Sequence, residues 1–332
     1  MPLTCFKSYD VRGQLGVDLD ADICARIGRA VAEVLTPGTA VTGRDGRESS
    51  PALQAALIEG LRAGGTDVID IGLCGTEEVY FATEHYGAGA GLMVTASHNP
   101  IDYNGIKLVR AGARPVSGET GLREIHDIAA GAGLPPAAVQ GELRTDDPRA
   151  AYVARVMSFV DLPALRLLKV LVNAGNGVAG PTFDAIAAAL AGGGAPLDFV
   201  RMHHTPDPTF PNGIPNPLLE ENQPVTAQAV RAAGADFGVA WDGDFDRCFF
   251  FDETGAFVPG EYIVALLAAA FLAKEPGARI VHDPRVMWNT RHVVDAGAGE
   301  AVVSRTGHAL IKARMREVDA VYGGEMSAHH YF

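Results

Sequence analysis

The chain has 332 residues, of which 48% are hydrophobic and 20% charged, ordinary values for a globular protein of two or three domains. Its formal net charge of −13 argues against non-specific nucleic-acid binding, which needs a basic surface. The longest apolar run, Ile263 to Ala273, is about half the length that spans a bilayer, so no membrane partner is expected.

Strand-like and helical runs alternate along the chain. Asp22 to Leu35 has helical periodicity, and Thr39 to Thr42 is a short strand entering the loop Gly43-Arg44-Asp45-Gly46-Arg47. Ser50 to Ala63 is a helix, with Ser49 or Ser50 as its cap and Pro51 in the first turn. Asp67 to Ile71 reads as a strand, Thr76 to Tyr86 as a helix and Ala90 to Thr95 as a strand. The stretch Ala129 to Asp147 is rich in Gly, Pro and Ala and reads as a domain boundary.

The pattern then restarts. Leu167 to Val172 is a strand, Pro181 to Leu190 a helix and Leu197 to Val200 a strand. Thr205 to Pro224, with six prolines, reads as a long ordered loop, followed by a helix over Thr226 to Ala233 and a strand over Phe237 to Trp241. A third round opens with a strand at Phe249 to Phe251 and a helix over Glu261 to Ala273. Strands at Arg279 to His282 and Ala301 to Ser304, a helix over Ala309 to Glu317 and a last strand at Ala320 to Tyr322 complete it. The expected fold is α/β: three similar domains at 1–147, 148–248 and 249–332, each a mixed sheet covered by helices. With no helix after the last strand, the third sheet is expected to lack a covering layer.

Four cysteines, Cys5, Cys24, Cys74 and Cys248, have neither C-x-x-C nor zinc spacing and read as free thiols of a reducing compartment. The segment Met1 to Lys7 lacks the basic and apolar regions of a signal peptide. A cytoplasmic location is expected.

Four segments carry chemistry. Thr95-Ala96-Ser97-His98-Asn99-Pro100 follows a strand, where α/β folds put their active sites. Ser97 is a candidate nucleophile with His98 and Lys107 near in sequence; a plain capped turn is the competing reading, and the G-x-S-x-G elbow of a hydrolase is missing. Trp241-Asp242-Gly243-Asp244-Phe245-Asp246-Arg247 puts three carboxylates two residues apart after an apolar strand. Their mutual repulsion invites a hard cation such as Mg²⁺, and Arg247 could hold a phosphate. An EF-hand is excluded, because Arg247 stands where that loop needs Gly and a strand follows. Gly175-Asn176-Gly177-Val178-Ala179-Gly180 matches the dinucleotide fingerprint, with Asp198 downstream, so an NAD-dependent oxidoreductase competes with a tight turn.

A fourth segment, Gly324-Glu325-Met326-Ser327 with His329-His330, could hydrogen-bond sugar hydroxyls. The adjacent histidines of this pair and of His203-His204 point apart in extended chain and make a poor zinc site.

In order, Phe6-Lys7-Ser8-Tyr9-Asp10-Val11-Arg12-Gly13, Gly43-Arg44-Asp45, the Ser97 loop, the aspartate loop and Gly324-Glu325-Met326-Ser327 resemble the α-D-phosphohexomutase superfamily. Within it, Gly75-Thr76-Glu77-Glu78, Trp241 to Phe251 and Gly324 to Phe332 resemble its bacterial phosphomannomutase/phosphoglucomutase branch. The resemblance implies an isomerase that moves phosphate between the 1- and 6-positions of a hexose, mannose and also glucose, through a phosphoserine and a hexose 1,6-bisphosphate. It implies that Ser97 carries the phosphate and, with Asp242, Asp244 and Asp246, holds Mg²⁺. Arg12, His98, Lys107 and Arg247 would surround the transferring phosphate, with His98 and Lys107 managing the proton. Tyr9, Arg285, Gly307, His308, Glu325, Met326, Ser327 and His329 would contact the sugar phosphate.

The resemblance weakens the dinucleotide reading, since the family uses its glycine segment as a turn. Phosphoglucosamine or phosphoacetylglucosamine mutase is the alternative of the same class. Family members continue beyond the position of Phe332, finishing the third domain and adding a fourth that clamps the other phosphate. These residues alone are therefore expected to turn over poorly, and a non-catalytic phosphosugar-binding protein is the alternative. A monomer or dimer acting on a small phosphosugar is expected.

Overall fold

A computed structural model describes residues 3–332. Met1 and Pro2, at the start of the segment read for a leader, lie outside the described residues.

The first layer set contains strands β1 (Asp10–Gln14), β2 (Thr39–Arg44), β3 (Asp67–Leu73), β4 (Ala90–Val94), β5 (Tyr103–Arg110), β6 (Arg114–Pro115) and β7 (Leu143–Thr145). Its helices are α1 (Ala21–Leu35), α2 (Ser50–Ala63), α3 (Thr76–His85) and α4 (Leu122–Ala130). The strand order is β1-β5-β4-β2-β3-β7, with β6 on β5; β2, β3, β4 and β7 run parallel and β1 and β5 antiparallel. Strand periodicity builds two cores. Ala40, Val68 and Leu92 face α1, α2 and α4, while their neighbours Val41, Ile69 and Met93 face α3. The Gly/Pro/Ala-rich stretch carries β7, which extends this sheet at its edge.

Neither Ser49 nor Ser50 caps α2 with its side chain. Ser50 Oγ is spent on Asp45 Oδ1 (2.5 Å), and Ser49 Oγ accepts from Asn104 Nδ2 (2.8 Å).

The second set comprises α5 (Arg149–Met157), β8 (Leu168–Asn173), α6 (Ala179–Gly192), β9 (Leu197–Met202), α7 (Gln223–Ala233), β10 (Phe237–Trp241), β11 (Cys248–Phe251) and β12 (Phe257–Val258). Its order is β12-β11-β10-β8-β9. The strand at Phe249 to Phe251, read as opening a third round at residue 249, therefore belongs to the second sheet. The aspartate loop reverses the chain, so β11 pairs antiparallel with β10, and the sheet runs on to Val258.

The third set comprises α8 (Gly260–Lys274), β13 (Arg279–His282), α9 (Met287–Ala296), β14 (Glu300–Val303), α10 (His308–Val318), β15 (Tyr322–Gly324) and β16 (His330–Tyr331), ordered β14-β13-β15-β16. Both faces of this sheet are covered, contrary to expectation. Ile280 packs with Val264, Ala268 and Leu272 of α8, while its neighbour Val281 packs with Ile311 of α10. The covering helices come before and between the strands.

No helix among the described residues is long and apolar enough to cross a membrane. The chemistry-bearing loops all leave the ends of strands: Asp45 after β2, Ser97 after β4, Asp242 after β10, Asp283 after β13 and Glu325 after β15. In open α/β sheets such carboxyl ends form the binding crevice. Here four of them, all but the Asp45 loop, converge on one cleft.

Candidate active site

The Ser97 loop is held from below by two buried residues that follow β2. Arg47 Nη1 donates to the carbonyls of Pro100 (2.7 Å) and Tyr103 (3.1 Å), and Nη2 to those of Ser97 (3.0 Å) and Asn99 (2.6 Å). Asp45 pairs with this guanidinium (3.5 Å) and accepts from the amides of Arg47 and Ala96. Burial pushes the Asp45 carboxyl up against the pull of Arg47. Above the loop, Arg12 Nη1 donates to the Ala96 carbonyl (2.9 Å) and to Asn99 Oδ1, and Nη2 to Asp10 Oδ2 (3.1 Å). Ser97 itself sits at φ 51°, a left-handed conformation that costs a serine about 1 kcal/mol and is typical of functional turns.

That conformation aims the hydroxyl at the second domain. Ser97 Oγ donates to Asp242 Oδ2 at 2.5 Å and lies 2.9 Å from His98 Nδ1. Asp242, Asp244 and Asp246 each offer one oxygen, all within 4.8 Å of one another. Lys107 Nζ donates to Asp244 Oδ2 (2.7 Å) and Asp246 Oδ2 (2.5 Å). Thr76 Oγ1 also donates to Asp244 Oδ2 (2.6 Å), and the Thr76 amide to the Asp244 carbonyl (3.1 Å). Burial works against the Lys107 ammonium, but Asp244 and Asp246 outweigh it and hold the group well above its usual range. Burial likewise opposes the Asp246 carboxylate; Lys107, His329 and Arg247 outweigh it and hold it well below.

Lys107, and Arg247 with its Nε 3.8 Å from Asp242 Oδ2, leave three buried carboxylates short of positive charge. Asp244 Oδ1 is buried with no hydrogen-bond partner among the described residues, and Asp246 Oδ1 has only His329 Nε2 at 3.4 Å. Unpaired buried carboxylate oxygens are costly, and a hard divalent cation with oxygen ligands satisfies them. The donor set therefore fits a divalent metal.

The third domain supplies the opposite wall. Glu325 is buried; its Oε1 accepts from the Gly307 amide (2.7 Å) and its Oε2 from the Tyr331 hydroxyl (2.9 Å). Ser327 Oγ lies 3.0 Å from His329 Nδ1. Asp283 Oδ2 accepts from Arg285 Nη2 (2.6 Å) and the Met326 amide (3.0 Å), holding Arg285 at the cleft. The His308 ring stands edge-on to Tyr9 at 4.9 Å, and its burial, with nearby Lys312 and Lys107, pushes its pKa well down.

These walls enclose a cleft of about 430 Å³. Of the residues proposed from sequence, Tyr9, Arg12, Ser97, His98, Lys107, Asp246, Arg247, Arg285, Gly307, His308, Glu325, Ser327 and His329 line it. Asp242 and Asp244 sit behind, wholly buried. Met326 is the exception. Between Glu325 and Ser327 it turns the other way, and its side chain packs on the core of α8 and β15. The same alternation sends His329 into the cleft and His330 to the Tyr322 hydroxyl (2.8 Å).

Lys7, Ser8, Asp10, Asn99 and Thr306 also line the cleft and were missed. So were the supports Arg47, Thr76 and Asp283. All of these except Thr306 and Asp283 lie within quoted motifs, but nothing local shows what a side chain three elements away will meet.

The glycine segment after β8 packs on the protein's own backbone. A Cβ on Gly180 would lie 1.8 Å from the His204 carbonyl oxygen, and one on Gly177 2.7 Å from that of Gly243. The space a pyrophosphate would need is filled, so the segment is a tight turn buttressing the aspartate loop.

Comparison with known proteins agrees with this geometry. Residues 4–133, 150–255 and 259–332 match the family models of phosphoglucomutase/phosphomannomutase alpha/beta/alpha domains I, II and III. The chain is 58% identical over 332 residues to a phosphomannomutase of Salmonella montevideo, covering 99% of this chain and 73% of that protein. It is 57% identical over 336 residues to "phosphohexose mutases" of Xanthomonas campestris pv. campestris, covering 100% and 73%. The crystal structure of a phosphoglucomutase/phosphomannomutase family protein from Burkholderia thailandensis superposes with a TM-score of 0.90 at 36% identity, over 99% of this chain and 72% of that one. This chain belongs to the phosphoglucomutase/phosphomannomutase family of hexose-phosphate mutases.

Proposed function

We propose that this chain interconverts the 1- and 6-phosphates of mannose, and also of glucose, with Ser97 as phosphate carrier, Mg²⁺ held by Ser97, Asp242, Asp244 and Asp246, and a hexose 1,6-bisphosphate as intermediate. The observation that carries this reading is the Ser97 hydroxyl 2.5 Å from Asp242, at the head of a cleft whose far wall is the Glu325 loop.

Phosphoryl transfer is chiefly positioning and charge neutralisation. Arg12 and Arg247 flank the phosphate on Ser97, and Arg285 with His308 and Tyr9 binds the sugar-phosphate end. Glu325 and Ser327 orient the sugar hydroxyls. A sugar hydroxyl attacks phosphorus; the new O–P bond forms as the Ser97 Oγ–P bond breaks, the hydroxyl proton passes to His98, and the Lys107 ammonium, already protonated, neutralises charge beside the transfer. The bisphosphate turns in the cleft and returns its other phosphoryl group to Ser97, His98 handing the proton back to the sugar oxygen that leaves. Bound Mg²⁺ would stabilise the charge on the serine oxygen and the phosphoryl group. Four free cysteines suit a reducing, cytoplasmic setting.

The test is to incubate the chain with mannose 1-phosphate or glucose 1-phosphate, Mg²⁺ and a trace of bisphosphate. Formation of 6-phosphate, and one phosphoryl group on Ser97 by intact mass and peptide mapping, is expected. Ser97→Ala should lose that group and about 10⁴-fold or more in turnover. Sugar-phosphate binding with neither isomerisation nor phosphate on Ser97 would support the binding-protein alternative instead.

A further inference from the structure

The third domain bears on the first through one face of α10. His308, Lys312 and Arg316 are spaced four residues apart and so form one stripe along the helix. Each meets a different part of the first domain. The His308 ring abuts Tyr9, as described. Lys312 Nζ lies 4.0 Å from the centre of the Tyr80 ring on α3. Arg316 Nη2 donates to the carbonyls of Gly112 (3.1 Å) and Ala113 (3.3 Å).

Lys312 also faces its own domain. Its Nζ lies 5.3 Å from the centre of the Tyr331 ring, and Tyr331 is the residue whose hydroxyl holds Glu325 Oε2. The other oxygen, Glu325 Oε1, is held by the amide of Gly307, the residue just before α10. Both holders of Glu325 therefore adjoin α10, Gly307 as the residue that leads into it and Tyr331 through its ring against Lys312, while the cationic stripe meets the first domain. On the Tyr80 side, α3 is the helix whose first turn presents Thr76 to Asp244. The ammonium thus sits between two aromatic rings, one linked to the sugar loop and one to the aspartate loop. A cation over an aromatic face is attracted by the ring's quadrupole, and more strongly where water is excluded.

We propose that Lys312 is a positioning residue for the mutase reaction: clamped between Tyr80 and Tyr331, it fixes the Glu325 loop relative to the domain that carries Ser97. This rests on the mutase reading above. Glu325 and Ser97 lie on separate domains, so the sugar hydroxyls meet the phosphate only as accurately as the two domains are registered. Small misplacements of reacting groups are costly. Interdomain packing alone would predict a change in melting temperature and nothing at the site.

The experiment uses the full chain and glucose 1-phosphate as probe, with binding read by calorimetry and turnover by coupled assay. Lys312→Met keeps the aliphatic stem and removes the charge; it should weaken glucose 1-phosphate about fivefold in Kd and KM. Lys312→Arg, whose guanidinium also stacks on aromatic rings, should restore both to within about twofold. Tyr80→Leu should cost the same or less, and the double variant no more than Lys312→Met, because the contact between the two domains that each removes is the same one. The Gly307 amide should exchange hydrogen faster in Lys312→Met, since its bond to Glu325 loosens. If Lys312→Met fails to fold, Tyr80→Phe against Tyr80→Leu carries the comparison: the ring-preserving variant should bind like the unaltered chain and the other should not. Unchanged binding by Lys312→Met, or additive losses in the double variant, would overturn the proposal alone. Failure of the unaltered chain to bind any hexose phosphate would overturn the mutase reading and this proposal with it.

Discussion

The Arg47 guanidinium donates to the Ser97 carbonyl oxygen over 3.0 Å, from a side chain only 1% exposed. With three more carbonyls of the same loop on its other donors, this one residue shapes the turn that holds Ser97 in a left-handed conformation. Arg47→Met would strand Asp45 as an unpaired buried charge and free four carbonyls. A loss of about 3–5 kcal/mol in denaturant unfolding is expected. Arg47→Lys keeps the charge but loses the planar fork, so it should fall between the two, with turnover lost more than stability.

Thr76 meets Asp244 twice, through its hydroxyl and its amide. Removing the hydroxyl leaves the fold intact but frees a carboxylate of the proposed metal set. Thr76→Val should weaken Mg²⁺ about 10–100-fold, read by Mn²⁺ competition in electron paramagnetic resonance, and Thr76→Ser should recover most of it. Gly75, next to it, has no room for a side chain: a Cβ would fall 2.2 Å from the Phe245 ring. Gly75→Ala should cost about 1–3 kcal/mol and shift the aspartate loop with it.

Asp283 holds Arg285 by three bonds and the Met326 amide by a fourth. It touches no part of the cleft but sets two that do, the Arg285 fork and the turn into Ser327. Asp283→Asn cannot accept all four. KM for hexose 1-phosphate should rise about tenfold, the scale of a lost charge-assisted hydrogen bond, while metal affinity stays unchanged.

Mild acid should draw stability down through two buried histidines. Burial, with His329 beside it, pushes the His330 pKa down to about 3, and burial also pushes His308 well down. The unfolded chain takes up these protons below about pH 6.5, where the folded chain does not. Stability therefore falls as pH falls from about 6.5 toward 3, by roughly 1.4 kcal/mol per pH unit for each such histidine. Denaturant midpoints between about pH 6.5 and 4.5 should show this slope, offset in part by Asp45, Glu77 and Glu78, whose carboxyls burial pushes up so that they take protons in the folded chain. His330→Gln should flatten part of it.

Much of the site was legible from sequence because its loops are short and follow recognisable strands. Ser97, the three aspartates and Glu325 could each be read where a strand ended in polar residues. Met326 was read wrongly because a loop motif does not say which way each side chain turns. Arg47, Thr76 and Asp283 were not read as supports because their partners lie in other elements. The boundary at residue 249 failed because an antiparallel return looks, in sequence, like any new strand.

What the sequence determined by itself was chemistry and order: which side chains could carry phosphate, ligate a cation or bind hydroxyls, and that three α/β units follow one another. Those depend on residue type and local periodicity. What only the tertiary structure decided was convergence: that Ser97 points at Asp242, that Lys107 lies between two aspartates, and that α10 ties Glu325 to the first domain. These are contacts between residues far apart in the chain. They follow from how sheets pack and domains meet, which no local pattern encodes.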